Sequence, residues 1–317
     1  MNSVFKSPFA PYIERYISLK VNAGNKASSY DSYLRIFDRF CVKRDIKEPI
    51  FTKADCDEWM KQRDCEGLVT QGRRIGTVRQ FLIHLAERGF DVVVPVSFVE
   101  AESDFCPHIY SDDEKRKYFY EVDTFCSHHN PYAALQYPVM FRLLYCCGTR
   151  INETLHIKKK DVDLEEGIIR LEETKNHTER YIVLGNDLHS LFKRYAEKCF
   201  YLIRDDDWIF RNSNGGLLQP TEVFRHHKLF LQRAGIPFYG NQKGPRLHDW
   251  RHHFAVYSFK QLSDSGMDMY VALPVLSAYL GHKNIYATEK YIRLTQSLFP
   301  EITKKIYSTL GGNVDET

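Results

Sequence analysis

Apolar side chains recur three and four positions apart along most of this chain. Phe9, Tyr12, Ile13, Tyr16 and Ile17 make one stripe, and Tyr30, Tyr33, Leu34, Phe37, Phe40 and Cys41 make a second. That period puts each set on one face of an α-helix. Ser28 or Ser29 is the expected N-cap of the second helix, and Thr52 caps a third that runs through Trp59. Ile75, Val78, Leu82 and Leu85 mark a fourth that ends near Gly89. One exception is residues 167–184, where Ile168, Ile169 and Leu171, then Tyr181, Ile182 and Val183, flank a polar turn at 175–178. Short β-branched runs around such a turn predict a hairpin. Helices resume from Asn186, from Thr221, over 251–262, over 271–280 and after Ala287. The expected fold is mostly α with a small antiparallel β-sheet.

Residues 91–110 lose the helical period and contain Pro95 and Pro107, so they predict an extended linker. Ser111, with Glu114 three positions on, opens the next helix with a capping box. The expected organisation is a helical bundle over 1–90, a linker over 91–110, and an α+β domain over 111–317. In that domain Asn130-Pro131 opens an apolar helix and Gly148 closes it. A chain of 317 residues accommodates two such cores.

Charge excludes some classes. The 44 basic and 41 acidic side chains leave a formal charge of +3, too balanced for a histone-like tail, though a local basic face can hide in that total. Arg73, Arg74 and Arg79, with Lys61 and Arg63, gather on the N-terminal bundle, and taken alone they read as a solvated face. No apolar run approaches the roughly 20 residues of a membrane helix, and no signal-type apolar core precedes Pro8 and Glu14. The expectation is a soluble, cytoplasmic protein with no membrane partner. The 8 cysteines lack paired spacing and suit apolar filling in a reduced protein. Cys126, His128 and His129 lack a second ligand pair, so no metal is assigned to them.

Four segments hold residues with chemical potential, and each has a plain explanation. Arg150 and Glu153, in Gly148-Thr149-Arg150-Ile151-Asn152-Glu153, suit a surface salt bridge. Lys175 suits a solvated turn. His248 and Arg251 share a helix face and can reach one phosphate. His248 and His252 are also spaced to grip a metal, but the Glu that a zinc hydrolase carries beside its first His is missing. Tyr291 lies nine residues after the His282 of Leu280-Gly281-His282, and is one of 20 tyrosines. In chain order, however, arginine, turn lysine, His-x-x-Arg, Leu-Gly-His and tyrosine resemble the catalytic domain of the tyrosine recombinases, the phage integrase family. The resemblance covers about residues 111–300, and the bundle over 1–90 resembles that family's core-binding, DNA-binding domain. Trp250 stands where an aliphatic residue is more usual.

This resemblance implies a site-specific recombinase, an integrase or transposon recombinase, working through a covalent 3′-phosphotyrosine and a Holliday junction. Tyr291 would be the nucleophile, and Arg150 and Arg251 would bind the nonbridging oxygens. His248 and His282 would donate hydrogen bonds, with His248 also a candidate base; Lys175 would protonate the leaving oxygen, and Glu153 would support Arg150. It implies no metal, cofactor or ATP. The implied partner is double-stranded DNA, held by a homotetramer on two duplexes in the nucleoid. The amphipathic tail over 298–310 suits exchange between subunits or packing on its own domain. In that setting Arg73, Arg74 and Arg79 become candidate phosphate contacts. Two other readings stand beside it: a type IB topoisomerase-like enzyme that nicks and reseals one duplex as a monomer, and a catalytically idle DNA-binding protein on the same fold.

Overall fold

The computed structural model describes residues 5–64, 66–96, 106–172, 179–238 and 244–281. The chain divides into two compact units, 1–105 and 106–317. Among the described residues no helix is long and apolar enough to cross a membrane.

In the first unit, helices α1 (Ala10–Asn22), α2 (Ser28–Lys43), α3 (Lys53–Met60) and α4 (Leu68–Ala86) turn their apolar stripes inward. Phe37 is the centre, with ring centroids 5.4 Å from Phe9, 5.3 Å from Phe51, 5.4 Å from Trp59 and 6.0 Å from Phe81. Tilted and edge-on pairs of this kind contribute about 0.5–1.5 kcal/mol each beyond burial. Thr52 caps α3 as expected: its hydroxyl accepts the Asp55 amide at 3.2 Å, and the Asp55 carboxylate accepts the Thr52 amide at 3.3 Å. The start of α2 differs from expectation. Ala27 is already helical, with φ −51° and ψ −42°, and its carbonyl accepts the Tyr30 and Asp31 amides. Ser28 and Ser29 therefore sit inside the first turn and do not cap it. Phe90, Val92, Val93 and Val94 pack on this core, and Val93 donates to the Phe51 carbonyl at 2.7 Å.

Arg74 corrects the expected basic face. It is 1% exposed, with Nε and Nη2 on the Glu66 carboxylate at 2.7 and 2.8 Å and Nη2 also on the Lys61 carbonyl at 3.0 Å. Nη1 donates to the Trp59 carbonyl, and the indole of Trp59 lies under the guanidinium, 4.8 Å away. The Arg74 charge is matched by the Glu66 carboxylate and all three of its nitrogens are engaged inside the bundle, so it is not a DNA-phosphate contact. Its position explains why: Gln71, Arg74, Val78 and Leu82 form one stripe of α4, and Arg74 occupies the buried side. Arg73 is exposed, and Arg79 is half-buried with Nε on the Pro95 carbonyl at 3.0 Å.

The second unit holds α5 (Asp112–Asp123), α6 (Ala133–Cys146), α7 (Ile151–Leu155), β1 (Val162–Asp163), β2 (Ile168–Glu172) and β3 (Glu179–Val183). After them come α8 (Asn186–Cys199), α9 (Pro220–Arg233), α10 (Asp249–Asp264) and α11 (Met269–Leu280). Ser111 and Glu114 form the predicted capping box of α5. The sheet is antiparallel in the order β1-β2-β3, with Ile169 opposite Ile182 and Leu171 opposite Arg180. Ile169, Leu171 and Ile182 are buried on its inner face, and strand alternation puts Arg180 on that same face. Trp250 is fully buried and stacks on Tyr110, centroids 3.7 Å apart and planes 5° apart. Ala255, Val256 and Phe259 of α10 pack against Ala272, Leu276 and Leu280 of α11. The chain is thus mostly helical with a small antiparallel sheet.

The bundle supplies the first prediction. Arg74→Ala leaves the Glu66 carboxylate enclosed without its partner, a change that costs on the order of 3–5 kcal/mol. Denaturant unfolding of the full chain should report that loss for the first unit. Unchanged stability together with a shallower salt dependence of DNA binding would return Arg74 to the surface.

Candidate active site

Four chain segments end or begin at one place. Gly148 closes α6 at φ 59°, a left-handed conformation that glycine adopts without strain, and a Cβ there would strike the Phe254 ring. The turn brings Arg150 to the N-cap of α7 and Glu153 into its first turn. Glu153 is 7% exposed. Its Oε2 accepts the Arg150 amide at 3.0 Å, its Oε1 accepts Arg150 Nη1 at 2.5 Å, and Oε2 also accepts Arg180 Nη2 at 2.5 Å. Burial pushes the Glu153 carboxyl up, but the Arg180 charge and then the amide and guanidinium of Arg150 outweigh it and hold the group below the usual carboxylate range.

The same guanidiniums close the end of α11. The carbonyls of Tyr279, Leu280 and Gly281 accept, in order, Arg180 Nη1 at 2.8 Å, Arg251 Nη2, and Arg150 Nη2 at 3.0 Å. A helix C-terminus offers orphan carbonyls and the negative end of the macrodipole, so cations satisfy both. Arg251, 1% exposed, also donates Nη1 to the Gly148 carbonyl at 2.8 Å and so ties the end of α6 to the end of α11. Gly281 has φ 65°, and a Cβ there would lie 3.2 Å from Cδ and Nε of Arg180. The glycine of the Leu-Gly-His motif thus suits both the left-handed backbone and the arginine that packs closely on it.

His248 immediately precedes α10. The start of that helix is fixed by Asp249, fully buried, whose Oδ2 accepts the Arg246 amide at 2.8 Å and the His108 amide at 3.4 Å. His248 is exposed, and its ring stands edge-on to His252, centroids 4.8 Å apart. Desolvation by the surrounding protein, then the positive charges of Arg251, Arg150 and Arg246, lower its pKa from 6.5 to about 4. The ring is thus neutral near pH 7, with one nitrogen to donate and one to accept. Two guanidiniums beside a neutral imidazole have the charge and donors that suit a phosphate anion.

The structure brings together Arg150, Glu153, His248 and Arg251 of the predicted set, while Lys175, His282 and Tyr291 lie outside the described residues. Cys126 is exposed, and among the described residues no group of His, Cys, Asp or Glu suits a metal ion. Arg180 was not anticipated. Its signal was an arginine at an inward position of a strand, two residues before the buried Ile182, where alternation calls for an apolar side chain.

The family model described as the phage integrase family matches residues 118–297. The chain belongs to that family, the tyrosine recombinases, enzymes that cleave and rejoin DNA strands. Tyrosine recombinase XerC of Rickettsia bellii is 28% identical over 292 residues, 88% of this chain and 90% of that relative. A probable integrase/recombinase protein of Methanocaldococcus jannaschii is 34% identical over 159 residues, 48% of this chain and 44% of the relative. Among solved structures, the XerH site-specific recombinase bound to a palindromic difH substrate superposes with a TM-score of 0.67 at 17% identity, over 87% of this chain and 78% of that one. A lambda integrase tetramer bound to a Holliday junction gives a TM-score of 0.62 at 19% identity, over 92% of this chain and 78% of that one. At these identities the structures speak for the fold.

A pH titration tests the electrostatics of the site. Followed by NMR in the DNA-free protein, the His248 ring should protonate well below 6.5, toward about 4, and Arg251→Gln should move the midpoint upward. A midpoint at or above the ordinary value would mean that the guanidiniums do not face the ring.

Proposed function

We propose that this recombinase performs site-specific strand exchange through a 3′-phosphotyrosine formed at Tyr291. The observation that carries the proposal is the common anchoring of Arg150 and Arg251 on the last carbonyls of α11, immediately before His282 in the chain. Two arginines at a set spacing suit the two nonbridging oxygens of a scissile phosphate, whose charge grows as a fifth oxygen approaches phosphorus. The Tyr291 oxygen attacks phosphorus and gives its proton to neutral His248. The bond to the 5′ oxygen breaks, and Lys175 supplies that oxygen's proton. His282 donates to a nonbridging oxygen. The 5′ hydroxyl of a partner strand then attacks the phosphotyrosine and gives its proton to Lys175, while the bond from phosphorus to the Tyr291 oxygen breaks and His248 returns the proton to that phenol, so bond energy is conserved without ATP and the arginines take the role a divalent metal has in many nucleases.

Tyr279 supports the choice of Tyr291 by contrast. Burial raises its pKa well above the ordinary value, its ring stacks on Phe254 at 5.5 Å, and its own carbonyl is committed to Arg180. A phenol held that way is a poor nucleophile. At the next level we propose that the N-terminal unit grips DNA with exposed residues such as Arg73, with Arg79 as a secondary contact, and that four copies act on two duplexes through a Holliday junction.

The test is covalent capture. Tyr291→Phe should bind its DNA site with wild-type affinity and form no protein–DNA adduct that survives denaturant, because only the hydroxyl is removed. An adduct that persists in that variant would move the nucleophile to another residue.

A further inference from the structure

Arg150 and Arg180 span the same gap. Each places one guanidinium nitrogen on the Glu153 carboxylate and another on the end of α11, Arg150 on the Gly281 carbonyl and Arg180 on the Tyr279 carbonyl. They differ in exposure: the Arg150 side chain is 31% exposed, that of Arg180 only 12%. They also come from different elements, the N-cap of α7 and the inner face of β3. We infer that Arg180 is a positioning residue for Arg150: it holds Glu153 and the last turn of α11 at a fixed separation, so that Arg150 can turn its outer nitrogens to a phosphate without either anchor moving. The inference rests on the reading of Arg150 as a ligand of the scissile phosphate.

The physics favours a division of labour. A phosphate arriving at Arg150 competes with both Glu153 and the Gly281 carbonyl for the same guanidinium. With Arg150 alone, each gain at the phosphate would be a loss at a nearly buried carboxylate, and such a loss is costly. Arg180 keeps Glu153 neutralised throughout. Its planar fork reaches two acceptors on two elements at once, which a lysine ammonium cannot do with the same directionality. Gly281 completes the fit, since any larger residue would push on Cδ and Nε of Arg180.

The test uses the full chain and a DNA substrate that traps the covalent adduct, in two forms: a normal scissile phosphate, and one with a nonbridging oxygen replaced by methyl. The methyl form carries less charge and depends less on arginine. On normal DNA, Arg180→Ala should form adduct about 100-fold more slowly, the scale of a small misplacement in an active site, with DNA affinity unchanged. On the methyl form, Arg150→Ala and Arg180→Ala should both recover much of their deficit relative to wild type, and Arg180→Lys should fall between Arg180→Ala and wild type on normal DNA. If Arg180→Ala does not fold, the Arg180→Lys deficit and its recovery on the methyl form decide the matter. A wild-type rate for Arg180→Ala beside a slow Arg150→Ala would overturn the positioning role alone. Equal slowing of the Arg180 variants on both substrates would also overturn it, because general damage is blind to phosphate charge. A wild-type rate for Arg150→Ala would remove the phosphate reading and this inference with it.

Discussion

A carboxylate with almost no access to water, held by two arginines and a backbone amide, organises the catalytic unit around Glu153. Removing one charge from water costs several kcal/mol, so such a group persists only where its partners are fixed and its lone pairs filled. Here the partners are fixed by a second task. The guanidiniums that satisfy Glu153 also accept the load of the α11 terminus, and Arg251 extends that arrangement to the end of α6. Arg150 and His248 are the members of this cluster that reach solvent, and the proposed occupant beside them is a DNA phosphate.

The fold serves this cluster by delivering termini. Gly148 stops α6, a buried Asp249 fixes the start of α10, and Gly281 turns the chain away from α11. Helix ends are where backbone groups remain unsatisfied and where charged side chains gain most from the macrodipole. Around them a dense apolar core prevents drift: Trp250, adjacent in sequence to Asp249 and Arg251, is stacked on Tyr110 and packed by Tyr118 and Phe119. The tryptophan that departs from the family's usual aliphatic residue is thus a packing solution with its own aromatic partners.

Much of this was legible in the sequence, and the failures have physical causes. Periodicity located the helices of both units because their stripes are long and apolar, and the capping signals at Thr52 and Ser111 marked real helix starts. Ser28 and Ser29 misled because Ala27 winds into the helix before them, a choice made by the preceding turn. β1, two residues long, is too short to carry a period. The charge cluster at 73–79 does not show its helical phase, which puts Arg74 beside Gln71 and Val78 on the buried stripe. Arg180 is hidden for a related reason: it sits in a hairpin whose pattern is carried by its apolar residues. Arg150 and Glu153 are visible as a pair, whereas the grip of Arg150 on the end of α11 depends on a contact 131 positions along the chain, which no local pattern records.

The central claim is that the ionised Glu153 carboxylate sets the arginines for phosphate. Glu153→Gln keeps the shape and removes the charge, so its single-turnover rate of covalent adduct formation, measured beside its DNA affinity, is the most direct measurement. The account predicts an adduct rate lower by about 100-fold, the scale of misplaced catalytic groups, with DNA affinity close to wild type. A folded Glu153→Gln protein that forms adduct at the wild-type rate would contradict it.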